Sequence, residues 1–215
     1  MTISEENYLK VIYHLSLVSP KGVNTNAIAG MLDTKASSVT DMLKKLADKD
    51  LVAYKKYQGV TLTENGTLTA KMIVRKHRLW EVFLVDKLSF SWDEVHEIAE
   101  ELEHIKSEKL INKLDSFLNY PAFDPHGDPI PNQKGEITKL QKQLLSEVDL
   151  NVAYKCVGVK DSSPEFLQYL DKQQIALGST FKVIEKESFD DTLLVEINNN
   201  KITISNKIAS NLYVQ

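Results

Sequence analysis

Apolar residues in the first part of the chain recur at helical spacing in three separate stretches. These stretches cover residues 8–15, 24–32 and 35–49. Thr2 followed three residues later by Glu5 is a capping box that begins the first helix, and Pro20-Lys21-Gly22 ends it. The pattern therefore predicts a helix, a short helix and a longer helix in that order.

Two short apolar runs follow and predict a β-hairpin. They cover residues 51–54 and 60–63, on either side of a turn at Tyr57-Gln58-Gly59. Three helices followed by a hairpin is the order of elements in a winged helix-turn-helix, a helix-turn-helix module that places its third helix on DNA. We therefore expect residues 1–63 to form a DNA-binding domain of this kind.

The second region has a helical pattern interrupted by prolines. Residues 64–87 predict one long helix, and Ser91 with Glu94 forms a second capping box that begins a helix lasting to about residue 118. Four of the six prolines then fall within residues 121–131, which excludes a helix or a central strand there. A short helix over residues 137–148 completes this predicted helical domain of residues 64–148.

The last region, residues 149–215, changes to strand patterns. Ser163-Pro164-Glu165 predicts the start of one helix, because a cap residue precedes a proline. Short strands joined by tight turns in so few residues predict a small β-barrel. The expected fold class is therefore mainly α with a small β domain. The predicted strands cover residues 152–159, 180–185, 192–197 and 201–204, with turns at 188–191 and 198–200.

Composition places the chain among ordinary globular proteins. Hydrophobic residues make up 42% and charged residues 26% of the 215 positions, no apolar run has the length of a membrane span, and the N-terminus has no signal-peptide layout. The single cysteine, Cys156, excludes an internal disulfide framework and suggests the cytoplasm. A net charge of −4 argues against coating nucleic acid by bulk charge but leaves room for a local basic surface.

The face of the third helix opposite its apolar stripe has the chemistry for reading DNA. Small hydroxyl residues can approach base edges and phosphates, and lysines can reach the flanking backbone. The alternative is a solvated helix face beside a lysine-bearing turn. The candidate DNA-contacting residues are Thr25, Lys35, Ser37, Ser38, Thr40, Asp41, Lys44 and Lys45, with Lys55, Lys56 and Tyr57 in the hairpin.

Histidines and carboxylates share helix faces in the second region. His77 and Glu81 are separated by one turn, and His96, Glu100, Glu103 and His104 fall on one side of the next predicted helix. Imidazole and carboxylate without thiolate suit Mn²⁺, Fe²⁺ or Zn²⁺ better than Cu⁺. The alternative is a solvated acidic helix. In the proline-rich loop, Asp124 and His126 either bind a metal ion or cap a turn.

The combination resembles the diphtheria toxin repressor family of metalloregulators, and within it the manganese transport regulators. The resemblance runs to about residue 140, and the β-rich segment looks like the SH3-like domain of its longer members. It rests on five motifs in order. They are Ser37-Ser38-Val39-Thr40, Lys56 to Thr63, Arg75-Lys76-His77-Arg78-Leu79 with Glu81, His96 with Glu100, Glu103 and His104, and His126-Gly127-Asp128-Pro129-Ile130-Pro131.

The resemblance implies a function and an assembly. It implies a homodimeric repressor, not an enzyme, that binds double-stranded operator DNA when loaded with Mn²⁺ or Fe²⁺, with two ions per subunit, and that controls metal-uptake genes. It also implies three domains: a winged helix-turn-helix over residues 1–63, a helical metal-binding and dimerisation domain over 64–148, and an SH3-like domain over 149–215. No membrane association is implied.

Matched position by position, the resemblance also implies metal ligands. Glu100 stands where iron-responsive members have a cysteine, and a hard carboxylate favours Mn²⁺. One departure is Asn7, which stands where a first-helix Asp or Met ligand is expected and offers only a neutral amide oxygen. The implied ligands are Asn7, Glu100, Glu103 and His104 for one ion, and His77, Glu81 and His96, with Asp124, His126 or Glu165, for a second.

Two other functions stay open at this point. Glu101-x-x-His104 is half of a di-iron carboxylate motif, although such sites use two Glu-x-x-His pairs. A winged-helix regulator that senses an organic ligand would also fit the N-terminal pattern. No nucleophile–base pair and no phosphate-binding glycine loop in the sequence points to other catalysis.

Overall fold

The N-terminal region has the predicted winged helix-turn-helix elements. The structure is a computed structural model that describes residues 1–55, 59–197 and 200–215. The predicted hairpin contacts Lys56 and Tyr57, and part of the predicted turn at 198–200, lie outside these residues. The elements are α1 (Ile3–Val18), α2 (Thr25–Met31), α3 (Ala36–Asp48) and the antiparallel strands β1 (Val52–Lys55) and β2 (Gly59–Leu62).

Local signals and apolar packing account for these helices. The Thr2 hydroxyl accepts the Glu5 backbone N–H at 3.2 Å, and the Glu5 carboxylate accepts the Thr2 N–H at 3.0 Å, so the predicted capping box is present. Leu9 and Ile12 of α1 and Leu43 of α3 are fully buried in one apolar cluster. Burying each such side chain stabilises the fold by about 1.5–3 kcal/mol.

The helical region departs from the prediction in one respect. It consists of α4 (Glu64–Leu88), α5 (Val95–Leu102) and α6 (Glu108–Phe117). A single helix over residues 91–118 was wrong, because the chain breaks at residues 103–107. Ser107 caps the new helix by accepting the Leu110 N–H at 3.3 Å. Glu103 and His104 consequently lie in a turn after α5 rather than on a continuous helix.

The predicted helix at residues 137–148 was also wrong. Strand β3 (Gln143–Leu144) pairs with the C-terminal strand, and a 3₁₀ turn (Leu145–Glu147) follows. Leu145 is 1% exposed and belongs to the core of the β region. Tertiary pairing and burial of this leucine outweigh the local helical pattern here.

The β region is an antiparallel sheet with two helices. Among the described residues the strand order is linear, β3-β8-β4-β5-β6-β7. The mainly α fold with a small β domain is confirmed, while the β domain is an open sheet and not the closed barrel expected. The final helix and strand were not predicted. The elements are β4 (Ala153–Val159), α7 (Pro164–Lys172), β5 (Thr180–Lys186), β6 (Leu193–Ile197), β7 (Asn200–Ile204), α8 (Asn206–Ala209) and β8 (Leu212–Val214).

The chain divides into two compact units, each with its own apolar core. The three domain boundaries expected from the sequence stay a prediction. Within the described residues, no helix has both the length and the apolar character needed to cross a lipid bilayer. The first unit contains Met1–Trp80, Ala99–Asn119 and Ile130–Ile137, and the second contains Glu81–Ile98, Tyr120–Pro129 and Thr138–Gln215.

Candidate metal centre and DNA-binding surface

The turn after α5 places a buried carboxylate at the centre of a polar cluster in the first unit. Glu103 is 0% exposed. Its Oε2 accepts hydrogen bonds from Lys10 Nζ at 2.8 Å and from His77 Nδ1 at 2.7 Å. Its Oε1 is buried and has no hydrogen-bond partner among the described residues. A buried carboxylate oxygen without a donor is a position that a cation would fill.

His104 is oriented by a carboxylate from the first helix. Its Nδ1 donates to Glu6 Oε2 at 2.6 Å, which leaves Nε2 as the ring nitrogen available to a metal ion. This Nε2 lies 3.9 Å from Glu103 Oε1. Two ligand atoms of one ion can be separated by up to about 4.2 Å, twice a typical metal–ligand distance, so both atoms can serve one ion. A carboxylate on the other ring nitrogen is the usual support for a metal-binding histidine.

The charges around Glu103 decide its ionisation state. Burial alone would raise the pKa of Glu103. The hydrogen bond from His77 and the Lys10 ammonium outweigh that effect and hold the pKa below its ordinary value. Burial also lowers the pKa of Lys76, partly offset by the charges of Glu6 and Glu103. The cluster therefore presents an ionised carboxylate, the form that a cation requires.

A second cluster lies in the other unit and already gathers three donors. Glu81, Asp124 and His126 are 2%, 6% and 6% exposed, and one ligand atom from each lies within 4.8 Å of the other two. The His126 Nδ1 is 3.7 Å from Glu81 Oε1. Two buried carboxylates beside an imidazole, without a thiolate, suit a hard or borderline divalent ion.

Hydrogen bonds in the loop fix the orientation of this second cluster. Asp124 Oδ1 accepts the backbone N–H groups of His126 and Asp128, each at 2.9 Å, so Asp124 caps the turn as well as contributing to the cluster. His126 Nε2 lies 2.8 Å from the carbonyl oxygen of Trp92. Because a carbonyl can only accept, Nε2 carries a proton, and Nδ1 is the ring nitrogen that faces Glu81 and is available to a metal ion.

The other predicted metal residues occupy more exposed positions. His96 is exposed and its Nδ1 lies 3.6 Å from Glu81 Oε1. Glu100 is half exposed and pairs with Lys10 at 2.9 Å. Asn7 is half-buried, and its neighbour Glu6 makes the contact with His104. Glu165 is exposed at the start of α7, outside the two carboxylate clusters.

Most residues of the DNA-reading face expected on α3 are exposed. Thr40 is half-buried and its hydroxyl donates to the Ala36 carbonyl at 3.0 Å, and Lys44 pairs with Asp41 at 3.3 Å. Thr25 is half-buried as the first residue of α2, and Lys55 is exposed at the end of β1. The remaining candidates on and before α3 are all exposed, namely Lys35, Ser37, Ser38 and Lys45.

The predicted site residues do not include Glu6, Lys10 and Trp92, which contact these clusters. Lys10 is a charged residue between the apolar Leu9 and Val11 on a buried helix, which is a signal that could have identified it. Trp92 contributes through its backbone carbonyl, which no residue pattern encodes. Its indole N–H also contacts both carboxylate oxygens of Asp171 on α7 at 3.1 Å.

Comparison with known proteins places the chain in a family. Residues 1–60 match the family model described as iron dependent repressor, N-terminal DNA binding domain, and residues 63–132 match iron dependent repressor, metal binding and dimerisation domain. Together they cover more than half of the chain. The chain belongs to the iron-dependent repressor family. This repressor family member also matches an FeoA domain over residues 143–215, where the SH3-like domain was expected.

Several of the similar proteins are transcriptional regulators. An uncharacterised HTH-type transcriptional regulator of Methanocaldococcus jannaschii is 37% identical over 118 residues, which are 55% of this chain and 94% of that protein. The HTH-type transcriptional regulator MntR of Oceanobacillus iheyensis is 34% identical, over 55% of this chain and 80% of that protein. The iron-dependent repressor IdeR of Mycobacterium tuberculosis is 35% identical, over 59% of this chain and 54% of that protein.

Solved structures are similar to this chain over nearly its whole length. A manganese-dependent transcriptional repressor in complex with manganese has a TM-score of 0.84 at 31% identity, with 98% of each chain covered. The manganese regulator SloR has a TM-score of 0.75 at 34% identity, with 100% of this chain and 99% of that chain covered. The resemblance inferred from the sequence motifs is therefore confirmed.

Proposed function

We propose that this protein represses transcription by binding double-stranded operator DNA as a homodimer when it is loaded with Mn²⁺, or with Fe²⁺, and that it controls metal-uptake genes in the cytoplasm. The observation that carries the proposal is the buried, thiolate-free cluster of Glu81, Asp124 and His126. Matches to manganese-dependent repressors and to MntR support the choice of ion. The role is regulatory rather than catalytic.

The first proposed ion uses donors from the turn after α5. Glu103 and His104 contribute the unpartnered Oε1 and the Nε2 lone pair, and Glu100 contributes a carboxylate. Asn7 is the proposed donor from α1, while Glu6 orients His104. When bound, the ion would supply a positive charge that donors from α1, from α5 and from the turn after α5 coordinate together. A carboxylate at Glu100 favours a hard ion over a soft one.

The second proposed ion uses Glu81, His96, Asp124 and His126. The family resemblance adds two further candidate donors. They are Glu165 and His77, which is one helical turn before Glu81 in the sequence. Supporting this site, the protonated Nε2 of His126 leaves Nδ1 for coordination. Two separate donor clusters support the proposal of two ions per subunit.

The proposed DNA contacts are the candidates named from the sequence. They are Thr25, Lys35, Ser37, Ser38, Thr40, Asp41, Lys44 and Lys45, with Lys55, Lys56 and Tyr57 in the hairpin. Small hydroxyl residues near the N-terminus of α3 would approach the bases, and the lysines would contact phosphates. The proposed homodimer presents two such helices to a pseudo-palindromic operator. The match to a metal binding and dimerisation domain supports this assembly.

The decisive experiment is a gel shift on the protein's own promoter at fixed salt, with Mn²⁺, Fe²⁺, Zn²⁺ and a chelator compared. Glu103→Gln should abolish the metal-dependent shift while size-exclusion chromatography still shows a dimer. Glu101→Gln is the matched control, because Glu101 is an exposed glutamate two residues away and should bind normally. Binding that persists in chelator, or that survives Glu103→Gln, contradicts the proposal.

A second variant pair tests the DNA-binding surface. Lys44→Ala on α3 should weaken the shift at every metal concentration and reduce its salt dependence, since one phosphate contact is lost. Lys113→Ala on α6 removes the same charge from an exposed position outside the winged helix-turn-helix and serves as control. Equal affinities for the two variants would remove α3 from the proposed interface.

A further inference from the structure

An ammonium group lies between two of the carboxylates proposed to bind the first ion. Lys10 Nζ is 2.9 Å from Glu100 Oε1 and 2.8 Å from Glu103 Oε2. The Lys10 side chain is 11% exposed, so water screens this pair of contacts poorly. A charged group held this deeply is stabilised by its partners, since burial without them is costly.

The charges around this ammonium are nearly balanced without a divalent ion. Three carboxylates meet here, from Glu6, Glu100 and Glu103, and Lys10 and Lys76 already contribute two positive charges. Glu103 Oε2 also accepts from His77, so it is fully engaged. Among the described residues, Glu100, Glu103 and His104 are not gathered into one ready ligand group, in contrast to Glu81, Asp124 and His126.

We infer that Lys10 is a built-in competitor for the first metal ion. Its ammonium holds Glu100 Oε1 and Glu103 Oε2, so a divalent ion at Glu103 Oε1 must either displace this ammonium or bind beside its positive charge. Both alternatives lower the apparent affinity for the ion below the value that the carboxylates alone would give. Lys10 thus sets the metal concentration at which the regulator loads. This inference rests on the proposed function.

The length of the lysine side chain makes the exchange possible without unfolding α1. Four methylene groups allow the ammonium to swing toward solvent while the stem stays packed, as lysines commonly do. In the metal-free protein the ammonium supplies the charge that Glu103 requires. Lys10 therefore stabilises the metal-free form and opposes metal loading, two effects that a single substitution removes together.

The test measures Mn²⁺ binding to metal-free protein by calorimetry, without DNA. Lys10→Met removes the charge and keeps most of the stem, and Lys10→Gln keeps a hydrogen-bond donor in case the methionine variant does not fold. Each should bind Mn²⁺ at the first site about tenfold or more tightly, because a repelling charge within about 4 Å is gone. Each should also melt at a lower temperature than wild type in chelator and recover with Mn²⁺.

Lys49→Met is the control. Lys49 pairs at 2.6 Å with Glu5, which lies on the same helix as Lys10, and Lys49 contacts none of the proposed ligands. Its affinity for Mn²⁺ should stay within about twofold of wild type. If wild type binds Mn²⁺ and the folded Lys10 variants bind it with unchanged or weaker affinity, the inference is wrong. The proposed function is not affected by that result. Absence of Mn²⁺ binding in wild type and variants alike overturns both.

Discussion

Replacing Gly127 by alanine should disrupt the loop that holds Asp124 and His126. Gly127 has a φ of +83°, in the region that side chains other than glycine rarely adopt. A Cβ atom placed on it would lie 2.1 Å from the Val157 carbonyl oxygen and 2.4 Å from the Gly158 Cα. Both are backbone atoms of β4 that cannot rotate away, so the loop itself must move.

The structure allows the size of the effect to be worked out. The left-handed conformation costs alanine about 1–2 kcal/mol. Moving the loop also breaks the hydrogen bond from the Val159 N–H to the His126 carbonyl, which is 2.9 Å long, and leaves a buried N–H without a partner. That loss costs a further ~1–3 kcal/mol. The expected destabilisation of Gly127→Ala is therefore about 2–5 kcal/mol.

Two measurements check this expectation. Urea titration in chelator gives the free energy of unfolding, and elemental analysis of Mn²⁺-loaded protein shows whether the second proposed ion is lost with the loop. Gly30→Ala is the control, since its Cβ meets no atom within 4 Å on helix α2 and should stabilise the protein by about 0.5–1 kcal/mol. A Gly127→Ala variant as stable as wild type, with full Mn²⁺ content, would refute the reasoning.

Two further predictions concern buried groups outside the proposed metal sites. Burial raises the pKa of Cys156 to about 11, so at pH 8 only about one thiol in a thousand is ionised, and Ellman's reagent should label native protein at least about 100-fold more slowly than urea-unfolded protein. Rapid labelling of the native form would contradict this burial. Arg75→Met should cost about 3–5 kcal/mol in urea unfolding, because it leaves Asp115, 2.7 Å away and 11% exposed, without its cation. Lys44→Met, which breaks the exposed pair with Asp41, should cost almost nothing, and similar losses in both variants would argue against the buried pair.

Local signals in the sequence were sufficient for most elements of the fold. The capping box at Thr2 and Glu5 and the apolar stripe of α3 both act within a few residues, so they can be read without tertiary contacts. The same holds for the Ser163-Pro164 entry to α7. The same local signals were sufficient to name Glu81, Asp124 and His126 as candidate ligands. Glu81 lies on a helix face and the other two lie in a turn-forming loop, and each of these limits where a side chain can lie.

Tertiary contacts explain what the sequence pattern missed. The helical spacing continues through residues 103–107, yet Glu103 lies in a turn where it meets His77, which is 26 residues earlier. Such a pairing contributes no periodic signal. Residues 137–148 have helical spacing too, but pairing of Leu144 with Tyr213 and burial of Leu145 favour an extended chain. In each case a distant partner, rather than local propensity, decides the conformation.

The first helix contacts both the proposed first metal site and the proposed DNA-reading helix. Glu5 accepts a hydrogen bond from Lys49, the C-cap residue of α3, at 2.6 Å. One residue later Glu6 holds His104, and one further turn along Lys10 holds Glu103. Because α1 is a helix with a buried apolar face, the proposed exchange of the Lys10 ammonium for a metal ion would change the forces on the same helix whose first turn contacts α3. These neighbouring charged pairs on α1 connect the proposed ion to α3. Ion binding can therefore change the spacing of the recognition helices without depending on Asn7 alone.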